Sequence, residues 1–130
     1  MKSIETYIDA LPKAELHVHL FGTLTPSMLF EKAKQNKISI PYSTEEELKA
    51  DFNFYDISSF VNMYDLGVSV FKTMDDFKDI TLAYIKKSAE QNVKYIELIF
   101  DPQSHLPFGV NFDTVINGIL SATKEGEIKY

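Results

Sequence analysis

Leu11-Pro-Lys-Ala-Glu15-Leu-His17-Val-His19-Leu-Phe-Gly22-Thr-Leu-Thr-Pro26 is the stretch that decides how this chain reads. Taken as a strand over residues 13 to 20, its side chains alternate, so that Glu15, His17 and His19 face one way and Leu16, Val18 and Leu20 the other. One face is polar and the other apolar. Two of the chain's three histidines stand on the polar face, where imidazoles at i and i+2 can chelate a single divalent ion, and a strand end is a natural mouth for a site. A His-x-His pair by itself is more often a pair of surface or hydrogen-bonded imidazoles, so its setting has to decide.

Composition narrows the setting. The 130 residues make one domain's length, with ordinary apolar content and many aromatics. A net charge of -6 argues against a nucleic-acid partner, since phosphate binders carry an excess of Lys and Arg. With no cysteine, disulfides, thiolate zinc sites and a cysteine nucleophile are excluded, and any metal must be held by nitrogen and oxygen. No run approaches the roughly 20 apolar residues of a membrane span, and no export leader is evident. The expectation is a soluble, cytoplasmic protein without a membrane partner.

Outward from the motif, Thr25 caps a helix with Pro26 in its first position, running to about Asn36. Ser43-Thr-Glu-Glu46 has the capping-box pattern and opens a short acidic helix that stops before Asp51. Asp56 caps an amphipathic helix carrying Phe60, Met63, Tyr64, Gly67, Val68 and Phe71, and Thr73-Met-Asp-Asp76 starts another with Phe77, Ile80, Tyr84 and Ser88 on one stripe. The acidic runs Glu45 to Glu47 and Asp75-Asp76 read as helix starts, and the Met and Phe stripe as core. Val93 to Phe100 is a second strand, stopped by Asp101-Pro102. Phe112, Val115, Ile116, Ile119 and Leu120 trace a last amphipathic helix, closed by Gly126.

Two strands separated by helices imply parallel pairing with a crossover, the unit of an α/β fold. A closed (β/α)₈ TIM barrel takes about 250 residues. Residues 1–130 therefore read as one partial (β/α)₈ barrel domain: the first two parallel strands with their helices, the N-terminal part of a longer protein.

At this point the residues resemble a family. Leu11 to Pro26, with Glu15-Leu before and Gly22-Thr after the histidine pair, is similar to the opening of the adenosine and adenine deaminases, zinc hydrolases of the amidohydrolase barrel type. Tyr95-Ile-Glu-Leu-Ile-Phe-Asp101-Pro-Gln-Ser-His105, followed by Gly109-Val and Phe112-Asp-Thr-Val, resembles the second-strand region of the adenine deaminase branch. The resemblance covers nearly the whole chain. It implies hydrolytic deamination of a purine, adenine to hypoxanthine and ammonia or the corresponding adenosine reaction, at a zinc ion held by two strand-1 histidines, a further histidine and an aspartate. Only His17 and His19 carry over as metal ligands; the acid and base groups and the other ligands come, by the same resemblance, from later strands. With two of the ligands a catalytic zinc needs, the chain is expected to be inactive alone.

The chain departs from the family pattern at Phe21, where the family has an acidic residue implied to hold a ribose hydroxyl. Phe21 accepts no hydrogen bond, which favours a bare base over a nucleoside, or marks a copy no longer active. Phe21, Gly22, Asp101 and His105 are the candidate substrate-binding residues. Gly22 reads as a tight turn or a close approach to ligand, and Asp101 equally as a strand-end functional group or a turn starter. His105 reads as lining the barrel mouth rather than satisfying a backbone group. Glu15 is expected to orient a ligand, or either Glu15 or Glu97 to pair with a lysine at the barrel base.

Two other classes compete. One is a non-catalytic remnant without metal, a homo-oligomer that covers its exposed strand edges. The other, a metal-dependent phosphoesterase, would want further acidic and basic residues soon after the first pair, and these do not appear. The cytidine-deaminase type of zinc site needs cysteines and is excluded.

Overall fold

Ser3 opens the described chain, residues 3–130 of a computed structural model, by accepting a hydrogen bond from the Thr6 amide at the start of a short helix; Met1 and Lys2 lie outside the described residues. That helix, α1 (Ile4–Ala10), buries no residue and was not expected from sequence. Strand β1 (Lys13–His19) follows and gives way at Leu20 to a 3₁₀ turn, Leu20–Thr23. Helices α2 (Pro26–Gln35), α3 (Glu45–Ala50), α4 (Ile57–Val70) and α5 (Met74–Glu90) lead to strand β2 (Val93–Ile99). Two 3₁₀ turns, Pro102–Ser104 and Leu106–Phe108, then precede α6 (Phe112–Lys129).

Local chemistry sets most of these boundaries. Thr25, Asp56, Thr73 and Asn111 each accept the amide three residues on, satisfying donors that a helix start leaves free. At α3 the reciprocal capping box forms one residue later than expected, between Thr44 and Glu47 rather than Ser43 and Glu46. Adjacent Ser and Thr followed by three glutamates offer both registers, and the helix takes the second.

The two strands pair in parallel, and the helices between them form the crossover. Their register slips twice. Lys13 pairs with Val93 but Ala14 with Tyr95; Glu15 then pairs with Ile96 and Val18 with Leu98, so β1 carries one extra residue between Glu15 and Val18. This bulge breaks the strict alternation expected for β1. Glu15 and Val18 both turn half-buried toward the helices, whereas Leu16, His17 and His19 stand exposed on the open face of the sheet. The Glu15 carboxylate accepts the hydroxyl of Tyr84 on α5, away from the histidine face, and among the described residues it pairs with no lysine. Burial, with the Glu15 acceptor beside it, raises the Tyr84 phenol above its usual range and keeps it a donor.

The core lies between the helices and the helix-facing side of the sheet, around Leu20, Phe21, Leu29, Phe71, Phe77 and Val115. Asp76 is more than the solvated helix start expected of it. Its side chain is almost wholly buried and accepts the amides of Lys72 and Thr73 at 2.9 Å each and the Asn36 amide at 2.8 Å. Buried Lys32 on α2 reaches both Asp76 and Asp79, and Asn36 also donates to the Val70 carbonyl. This polar knot fastens the end of α2 to the end of α4 and the start of α5.

Helix α6 buries part of the expected stripe, Val115 and Ile119, and meets α5 closely at its glycines. Val115, Gly118, Ile119, Ala122 and Gly126 are buried, while Phe112 and Leu120 face outward. A Cβ at Gly118 would lie 2.5 Å from the Met74 carbonyl oxygen, so glycine is required for this approach. Gly126 does not end the helix; it lies inside α6 against Ile85. No helix among the described residues is long and apolar enough to cross a membrane.

Candidate metal centre at the carboxyl end of strand β1

His19 is the last residue of β1 and pairs with Ile99, the last of β2, so both strands present their carboxyl ends together. That is the end where (β/α) barrels keep their chemistry. Below it the bulge leaves His17 and His19 exposed side by side, with ring centroids 5.2 Å apart and their Nε2 atoms 3.2 Å apart. A tetrahedral ion with nitrogen ligands at about 2.0–2.1 Å holds two of them roughly 3.4 Å apart. The pair is therefore already close to the separation that one zinc ion asks of two imidazoles.

Asp101, just past β2, comes to the same end. Its Oδ2 lies 3.7 Å from His19 Nδ1 and accepts the Tyr64 hydroxyl from α4 at 3.0 Å. Burial first, and the neighbouring Asp101 second, hold the Tyr64 phenol well above its usual range, so it stays a donor. Gln103 reaches the other carboxylate oxygen at 3.4 Å. Tyr64 was expected only as part of a core stripe. The i,i+3 and i,i+4 spacing that marks it as core says nothing of a hydroxyl at the end of its ring.

The other candidate residues fall elsewhere. Phe21 is 5% exposed and packs by its edges among Tyr64, Phe71 and Phe77, with His105 at 4.9 Å between ring centroids. His105, 2% exposed, is wedged between Phe21 and Phe77 rather than lining an open mouth. Burial pushes its pKa down to about 4 against the hydrogen bond to the Val68 carbonyl, and its Nδ1 has no partner. Gly22 is exposed, has no positive φ, and would bring a Cβ no closer than 3.9 Å to another atom, that of His19 Cβ. Nothing among the described residues requires glycine there.

Glu97 stands exposed on the open face and accepts the Tyr95 hydroxyl at 2.9 Å, two residues away along β2, and meets no lysine among the described residues. Among the described residues no three His, Asp or Glu side chains gather closely enough to hold an ion. What the structure brings together is the His17–His19 pair with Asp101 behind His19.

Comparison with known proteins agrees with the fold and the motifs. The chain is 42% identical over 127 residues to an adenine deaminase of Zymomonas mobilis, an alignment that takes in 98% of this chain and 38% of that protein. The crystal structure of an adenine deaminase from Arthrobacter aurescens superposes with a TM-score of 0.88 at 39% identity, over 93% of this chain and 37% of that one. An amidohydrolase from Burkholderia ambifaria, solved with bound zinc, shares the fold with a TM-score of 0.84 at 18% identity, over 100% of this chain and 36% of that one. The chain thus spans little more than a third of the length of the relatives it matches and has the first two strands of their barrel. The family model described as adenosine deaminase matches residues 12–130, and the chain belongs to that family.

Proposed function

We propose that this chain supplies the metal-holding first strand of a zinc-dependent purine deaminase that converts adenine to hypoxanthine and ammonia. The observation that carries the reading is the 3.2 Å separation of His17 Nε2 and His19 Nε2 at the carboxyl end of β1, within a domain of this family. His17 and His19 would hold the ion through these two nitrogens. When bound, zinc supplies the Lewis acidity that makes hydrolytic attack feasible near neutral pH. The described residues hold two of the three protein ligands a catalytic zinc needs, so the remaining ligands and the proton-transfer groups belong to strands that the relatives' greater length contains.

Adenine is favoured over adenosine because Phe21 offers no acceptor for a ribose hydroxyl and is turned into the core. The relatives at 42% and 39% identity bear the name adenine deaminase. With that substrate, the reading extends to a role of the whole protein in cytoplasmic purine salvage. The test is a hybrid joining this chain to the remaining barrel of the Zymomonas relative, assayed by the absorbance change of adenine. Turnover that disappears in His17→Ala and His19→Ala supports the reading. A folded hybrid that deaminates adenine equally well without these histidines overturns it.

A second reading has one observation behind it. Leu16 and Tyr95, 62% and 55% exposed, stand on the open face of a two-stranded sheet whose outer edges are free among the described residues. By itself such a sheet favours self-association.

A further inference from the structure

We propose that Asp101, held in place by Tyr64, is a positioning residue that fixes the tautomer of His19 so that its Nε2 is free for the metal ion. The inference rests on the reading of His17 and His19 as a metal pair and says how that pair is oriented. For both Nε2 atoms to donate to one ion, each neutral ring must carry its proton on Nδ1. His19 has a carboxylate oxygen beside that nitrogen, Asp101 Oδ2 at 3.7 Å. Metal-bound imidazoles characteristically give their second N–H to a carboxylate or carbonyl, which sets the ring's orientation and raises its basicity. The separation is longer than a hydrogen bond, and an ion bound at Nε2 would draw electrons from the ring and so would strengthen the pull between Nδ1–H and the carboxylate.

Asp101 is itself restrained. Tyr64 donates to the same Oδ2 at 3.0 Å. The phenol ring lies edge-on to Phe21 with centroids 5.9 Å apart and tilted against Phe60 at 6.1 Å, so the hydroxyl is aimed from a packed ring. Phe21 comes two residues after His19, and its burial thereby helps set the group that faces His19. The relay runs Phe21 to Tyr64 by packing, then Tyr64 to Asp101 to His19 by polar contact. Asp101 acts on the ion only through His19.

Long-range proton–nitrogen NMR of the metal-free chain at about pH 8, where ordinary imidazoles are neutral, reads the tautomer directly. The proposal expects His19 to be chiefly Nδ1-protonated in the wild type, less so in Tyr64→Phe and least in Asp101→Ala, with His17 little changed. Zinc titration of the same proteins should show about a 10- to 100-fold loss of affinity in Asp101→Ala and a smaller loss in Tyr64→Phe, which keeps the ring packing. If zinc binds normally and neither substitution moves the tautomer or the affinity, the positioning role is overturned while the metal pair stands. If no protein takes up zinc, the metal pair fails, and the His19 tautomer still decides for or against the Asp101 contact.

Discussion

Lys32 Nζ lies 3.2 Å from Asp76 Oδ1, with both side chains about 95% buried between α2 and α5. Burial alone would raise the Asp76 carboxyl, but the amides of Lys72 and Thr73, the Asn36 amide and the Lys32 ammonium together hold it below its ordinary value. Removing one partner of a buried ion pair leaves the other uncompensated. Asp76→Ala should therefore cost about 3–5 kcal/mol in urea unfolding, nearer the lower figure because Asp79 still contacts Lys32. The native carboxyl titrates below its unfolded counterpart, so its contribution is present above the ordinary carboxylate range and fades as pH falls through the lowered value.

His105 should make the fold acid-sensitive at milder pH. Its native pKa near 4 lies below that of an unfolded histidine, so the unfolded chain gains a proton first as pH drops below about 6.5. Full stability from this group is present above that value and is lost progressively down to the native pKa. Lys72, whose charge opposes protonation, and Asp101, which favours it, are the charged groups acting on it. Wild type should lose about 2 kcal/mol relative to His105→Phe between pH 7.5 and pH 5. Parallel urea titrations check this, and a constant difference between the two proteins would show that the ring is not buried neutral.

Gly118→Ala should destabilise despite the better helix propensity of alanine. The new methyl would meet the Met74 carbonyl oxygen at 2.5 Å and Phe77 Cβ at 2.7 Å, neither of which can swing aside. A loss of about 1–3 kcal/mol is expected from overpacking, against a propensity gain of about 1 kcal/mol. At Gly126 the obstruction is the Ile85 side chain, nearest at 2.8 Å, which can change rotamer. Gly126→Ala should cost less, and thermal melts of the two variants rank them.

Concentration-dependent association of the isolated chain follows from the open sheet face. Leu16→Lys, at a side chain already 62% exposed, should leave the melting temperature nearly unchanged while shifting sedimentation toward monomer. Equal association in the variant would place the contact away from this face.

What could be read from sequence was what short-range chemistry dictates. Thr25-Pro26, Asp56 and Thr73 mark helix starts by their own hydrogen bonds, and the i, i+2 spacing of His17 and His19 places the two imidazoles side by side, while their reading as a metal pair needed the flanking motif as well. The bulge in β1 could not be read, because it is set by pairing with β2, and it turned Glu15 away from the histidines and Leu16 toward them. Likewise Phe21 and His105 looked like open-site residues until the ring cluster that encloses them formed from α4, α5 and two loops. Helix α1 had a local signal, Ser3 before Ile4, Tyr7 and Ile8, but it is short and buries none of its residues among those described. On α6, periodicity marked Val115 and Ile119 but not Gly118 and Gly126, which let α5 approach, because hydrophobic periodicity does not weigh small residues.

The central claim is that His17 and His19 form one metal-binding pair. Isothermal titration of zinc into the purified chain near pH 7.5 tests it most directly, with His17→Ala, His19→Ala and the double variant beside it. The account predicts one ion per chain in the wild type and loss of that binding in each single variant. Absence of zinc uptake by the wild type, or equal uptake by the double variant, would contradict it.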